Sequence, residues 1–246
     1  MSSYEFWEEW KKRTPLEDAA IRSLTSARER ILSAIPNDEI ISIYAKGSLI
    51  RRELTPKSDV DTLTIVKRSR WLRTLMRLHR TNRLEPAVCY SGYSLWELER
   101  NARSKSGKPD RGSPVSMLAH LGHYKLIYGT PIEPDAFGHV IDKHARLRSM
   151  AHAFRSEFIP CYDEGSFAFT DLVKQTFWLA EKELSARGEE APHHWGALAE
   201  RFPETHIVHD ALKLRMHPTK RAAVRASYVK KLRAYLDELE RTSGAH

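Results

Sequence analysis

The sequence predicts an α+β fold: a small mixed β-sheet with helices packed on it, followed by an all-α helical bundle. Three observations lead there. Short β-branched apolar runs recur in the first part of the chain, to about residue 132. From Asp135 onward no segment has the composition of a strand. That later stretch carries apolar residues at helical spacing, as at Val224, Tyr228, Leu232, Tyr235 and Leu239. The chain is therefore expected to divide into domains 1–133 and 134–246.

Taken in order, residues 3–13 alternate aromatic and charged groups and predict a short amphipathic helix. Thr14-Pro15 supplies an N-cap and a first-turn proline for a second helix ending near Ala34, with Leu16, Ala20, Leu24, Ala27, Ile31 and Leu32 near one face. Glu39–Tyr44 reads as a buried strand, Val60–Val66 as a second and Leu84–Tyr90 as a third. Residues 69–81 and 94–101 read as helices between and after them. Residues 102–112 form a basic Gly/Ser/Pro-containing loop that is expected to be mobile. Ser113-Pro114 restarts a helix, and Leu126–Tyr128 is a last short strand. The tail reads as four or more helices, about 136–158, 167–186, 193–201 and 219–241.

The composition is that of an ordinary globular chain, with 41% hydrophobic and 29% charged residues. A net charge of +8 favours acidic partners such as nucleotides or nucleic acid, although many soluble proteins are mildly basic without one. Cys89 and Cys161 have no zinc-ligand spacing and read as free thiols of a reducing compartment. The charged N-terminus lacks an apolar signal core, and no apolar run approaches the roughly 20 residues that span a bilayer. A soluble, cytoplasmic protein is expected.

The chemistry concentrates in Ser42–Val66. A strand leads into Gly47-Ser48, ten residues follow, and Asp59-Val60-Asp61 opens the next strand. Side chains alternate along a strand, so both aspartates face one way, with Cα atoms about 6.5–7 Å apart. Two carboxylates on one face beside an apolar run are costly without a cation between them, and Mg²⁺ takes one or two carboxylates plus substrate phosphates. Gly47 allows close backbone approach to a ligand, and the N–H and hydroxyl of Ser48 are phosphate donors. A phosphate cradle beside a metal clamp is the equipment of phosphoryl transfer.

This Gly-Ser-x10-Asp-x-Asp pattern, with Ser58–Asp61 as its Ser-Asp-x-Asp half, resembles the DNA polymerase β-like nucleotidyltransferase superfamily over roughly residues 38–91. The superfamily includes antibiotic nucleotidyltransferases, CCA-adding enzymes and minimal nucleotidyltransferases. The resemblance implies a Mg²⁺-dependent transfer, with two ions, of a nucleoside monophosphate from an NTP such as ATP to an acceptor hydroxyl, releasing pyrophosphate. It assigns phosphate binding to Gly47 and Ser48 and metal binding to Asp59 and Asp61; Lys46 and Ser58, lying within the motif, are further nucleotide-binding candidates by position. It asks for a third carboxylate on a following strand, for which Glu85 is the candidate as ligand or general base. Pro86 after it cannot donate to a ladder and requires an edge or a strand start. Lys174 is a nucleotide-binding candidate by analogy with the helical domains of relatives.

Other features admit two readings. Arg70, Arg73, Arg77 and Arg80 fall within an arc of roughly 80° on one helix, either tracking an anionic acceptor or simply solvated. Arg51, Arg52 and Lys57 lie close enough in sequence to reach a triphosphate, or are equally solvated. Arg146 and His152 have the Arg-x5-His form of HEPN ribonucleases, a form that chance also produces in a chain rich in both residues. His120 and His123 share a helix face without a third ligand nearby, and like His193 and His194 they read as structural. The acceptor stays open among a small molecule, RNA such as a tRNA 3′ end, and a protein hydroxyl modified by AMPylation. A catalytically inactive nucleotide- or RNA-binding module and an antitoxin-like subunit are the non-enzymatic alternatives.

Overall fold

The computed structural model describes residues 4–108 and 111–243, and its first unit is built on one four-stranded sheet. The strands are β1 (Ile40–Lys46), β2 (Val60–Val66), β3 (Val88–Ser94) and β4 (Lys125–Gly129), in the order β3-β2-β1-β4. β1 runs antiparallel to β2 and β4, whereas β2 and β3 are parallel. The helices of this unit are α1 (Pro15–Ala34), α2 (Ser48–Arg51), α3 (Leu72–Arg80), α4 (Leu95–Arg100) and α5 (Pro114–Leu118). Parallel pairing of β2 and β3 requires a crossover, and α3 provides it.

Alternation along the strands builds two cores, one on each face. Ile43, Ala45 and Val60 pack with Leu24 and Ile31 of α1 and with Leu72 and Leu75 of α3. Tyr44, Leu63, Ile65 and Tyr93 pack on the other side with Leu98 of α4 and Met117 of α5. Gly92 lets α3 approach: a Cβ there would lie 2.4 Å from Leu75 Cδ1 and 2.8 Å from the Thr64 carbonyl oxygen.

The start of α1 follows its sequence. Thr14 Oγ1 accepts from the Glu17 N–H at 3.2 Å, and the Glu17 carboxylate accepts from the Thr14 N–H at 2.7 Å. Thr14→Ala is expected to cost about 1 kcal/mol in urea unfolding. An unchanged midpoint would mean that Pro15 and packing alone fix this helix start.

Three expectations need correction. The third strand is Val88–Ser94, not Leu84–Tyr90. Pro86 has no N–H to give the ladder, so pairing begins beyond it, where the Ala87 carbonyl accepts from Val60 N–H at 2.8 Å. The N-terminal helix is only a single 3-10 turn, Phe6–Glu9, anchored by buried Trp7. The expected helix at 136–158 is displaced: Pro134–Phe137 is a 3-10 turn, and the helical run begins at Lys143.

The compact units divide between Ile141 and Asp142, eight residues beyond the expected boundary. The second unit contains α6 (Lys143–Ala153), a π-helical turn (Phe154–Phe158), α7 (Ile159–Asp163), α8 (Phe169–Ala186), α9 (Trp195–Ala199), α10 (Ile207–Met216) and α11 (Ala222–Ser243). Along α11, Tyr228, Leu232 and Leu239 are buried as their spacing requires, whereas Val224 is exposed. Among the described residues no helix is long and apolar enough to cross a membrane.

A buried carboxylate, Glu183, joins α8 to α10 and α11. It accepts from His206 Nε2 at 3.1 Å, from the Tyr235 hydroxyl and from Arg187. Burial pushes its pKa up, but the His206 and Tyr235 hydrogen bonds and the Arg187 charge more than offset this, leaving it below its ordinary 4.5. A depressed carboxylate stabilises the fold above its unfolded pKa and loses that contribution as pH falls through the folded value. Urea midpoints of the wild type and Glu183→Gln are therefore expected to converge as pH falls below about 4.5. A gap that stays constant with pH would contradict this.

Candidate active site

Three strands place the polar cluster. Asp61 on β2 is paired in register with Lys46 of β1 on one side and with Cys89 of β3 on the other. Directly opposite residues of neighbouring strands point the same way, so these three side chains form a row. Alternation puts the row on the face of Leu63, Ile65 and Tyr93. Asp59, just ahead of β2, is exposed and joins the row from the strand end. Ligand atoms of Asp59, Asp61 and Cys89 all lie within 4.8 Å of one another. Among the described residues this is the one group of three or more potential metal ligands so placed.

Gly47 explains itself in this setting. Its backbone, at φ 78° and ψ −149°, occupies a region that essentially only glycine enters. A Cβ there would sit 2.3 Å from Asp61 Oδ2. The turn is thus packed directly against a carboxylate, and Ser48 opens α2 immediately after it.

The electrostatics are those of a charged cluster under partial cover. Lys46 Nζ lies 3.5 Å from Asp61 Oδ1. Burial pulls the Lys46 pKa down, but the Asp61 carboxylate, with Tyr124 and Cys89, more than offsets it and leaves it raised. Burial pushes the Cys89 thiol up, as do Asp61 and Asp59, while Lys46 and Lys108 oppose the rise. The basic loop that carries Lys108 follows α4 in the same unit. That loop is pinned by Arg111, which pairs with the fully buried Glu97, donates to the Gly92 carbonyl at 2.6 Å and stacks over Tyr93. The expected mobility of 102–112 thus meets a buried anchor at Arg111, while Pro109 and Asp110 lie outside the described residues.

Other sequence candidates have surroundings of their own. Glu85 is exposed in the turn ahead of β3 and is not in the three-donor group, where Cys89 stands instead. Ser58 Oγ closes the preceding turn, accepting from the Thr55 N–H at 2.9 Å. Arg51 is buried against Glu53, and Arg52 is bonded to Glu17 and the Lys12 carbonyl. Lys57 is exposed. Lys174 is exposed on α8 of the second unit. Arg70, Arg73, Arg77 and Arg80 are all exposed, Arg70 in the 3-10 turn Ser69–Trp71 and the other three on α3, which packs against the sheet face opposite the aspartates. In α6, Arg146 is half-buried and feels Glu181, while His152 is exposed.

Cys89 is the member of the cluster that sequence reasoning missed. Its signal was alternation, which puts residue 89 on the face opposite Val88 and Tyr90, the same face as the candidate Glu85.

No protein family matches the chain by sequence, and no curated protein does. Solved structures do match. One is a spectinomycin adenyltransferase from Enterococcus faecialis, determined with ATP and spectinomycin. It is 16% identical, with a TM-score of 0.51 over 89% of this chain and 97% of that one. The two share a fold, in agreement with the resemblance carried by the Gly-Ser and Asp-x-Asp motif.

Proposed function

We propose that this protein transfers a nucleoside monophosphate from ATP to a hydroxyl of a small-molecule acceptor, releasing pyrophosphate. One observation carries the reading: Asp59 and Asp61 stand side by side at the start of β2, with the Gly47 turn packed against the Asp61 carboxylate. Two carboxylates fit a divalent ion that also takes ligands from substrate phosphate. Bound there, such an ion would neutralise phosphate charge and lower the pKa of the acceptor hydroxyl. The free N–H groups in the first turn after Gly47 and the Ser48 hydroxyl donate to phosphate oxygens. Lys46, already facing the cluster, adds a positive charge beside them.

ATP as donor is supported by the shared fold with an enzyme solved with ATP. A small acceptor is supported by that neighbour's spectinomycin and by the arginine stripe, which lies across the sheet from the aspartates and so lends RNA no help there. A chain of net charge +8 is poorly matched to a polycationic acceptor, so a neutral or acidic hydroxyl compound fits best. The test is pyrophosphate release from ATP across a panel of hydroxyl compounds and RNA, at rising salt. Transfer to a small compound with little salt dependence is expected. Transfer to RNA alone, falling steeply with salt, would replace this acceptor class.

A further inference from the structure

The donor set is not that of a purely hard-ion site. Asp59 and Asp61 supply oxygen, but the third atom in reach is a thiol sulfur. Cys89 is there by register rather than by chance of a side-chain rotamer: β2 and β3 pair Asp61 with Cys89 along an unbroken parallel ladder from Val60–Val88 to Val66–Ser94. Carboxylate, carbonyl and water suit Mg²⁺, whereas thiolate selects softer ions such as Zn²⁺ and disfavours Mg²⁺. Charge balance agrees. Two carboxylates and a thiolate carry three negative charges, and a divalent ion with the neighbouring Lys46 ammonium returns the sum to zero.

We propose that Cys89 is a metal ligand and that the Asp59–Asp61–Cys89 site takes a borderline divalent ion of the Zn²⁺ or Co²⁺ kind in preference to Mg²⁺. This rests on the reading of Asp59 and Asp61 as metal ligands. Binding converts the thiol to a thiolate, and the proton leaves to solvent.

The test uses the full chain, stripped with a chelator and titrated with Co²⁺ without nucleotide. A near-ultraviolet thiolate-to-cobalt charge-transfer band is expected. It should vanish in Cys89→Ser and persist in Cys161→Ser, the other cysteine of the chain. Zn²⁺ affinity should fall at least about 10-fold in Cys89→Ser, on the scale of perturbing a metal site's support. Cys89→Asp should move the preference toward Mg²⁺, and its circular dichroism shows whether it folds. Cobalt bound through the aspartates without the band, or no cobalt bound at all, overturns the proposal. Because the spectrum is read without ATP, a band in a protein that transfers no nucleotide would sink the proposed function and leave the ligand assignment standing.

Discussion

Asp61→Asn is expected to lower turnover by about 10²–10³-fold or more, the scale of removing one preorganised group that stabilises transition-state charge. The same change should leave thermal unfolding nearly where it was. Asp61 is about a quarter exposed, and the ion pair it makes with Lys46 is long, at 3.5 Å. Such a pair contributes little to stability. Asp59→Asn should behave alike, since Asp59 is exposed and holds no core together. The two substitutions together should cost no more than the worse single one, because groups that act as a unit are not additive. A collapse of the fold with activity per folded molecule intact would remove the aspartates from the chemistry.

Gly47→Ala is expected to damage both stability and turnover. The backbone cost is about 1–3 kcal/mol, because φ 78° with ψ −149° suits glycine and not alanine. The added methyl would also meet Asp61 Oδ2 at 2.3 Å and must push that carboxylate out of the row. Turnover should therefore fall by about as much as in Asp61→Asn. Gly129 provides the comparison. It too has positive φ and no room, since a Cβ would lie 2.1 Å from the Ile41 carbonyl oxygen, but it sits on β4 against backbone. Gly129→Ala should destabilise without a specific loss of turnover per folded molecule. Equal residual activity in the two variants would mean that Gly47 serves only the backbone.

The sequence made some of this legible for plain reasons. Helix α1 is announced by Thr14, Pro15 and an apolar stripe, and β2 by seven residues that alternate into two cores. The Asp-x-Asp spacing told that both carboxylates face one way, because period-2 alternation needs no partner strand. What the sequence withheld is what depends on partner strands. Cys89 joins the site only through the β2–β3 register, which pairs it with Asp61 and which no local pattern states. Arg73, Arg77 and Arg80 of α3 are exposed, but nothing local states which side of the sheet that helix covers. The anchoring of the 102–112 loop by Arg111 and Glu97 joins residues 14 apart whose charges look solvated in sequence.

Isothermal titration of ATP tests the central claim most directly, with and without a divalent ion, on the wild type and the Asp59→Asn/Asp61→Asn pair. ATP binding that requires the ion and is lost in the double variant is the expected result. Binding of ATP at equal strength with or without the ion, and in both proteins, would contradict the assignment of Asp59 and Asp61 as the metal-dependent nucleotide site.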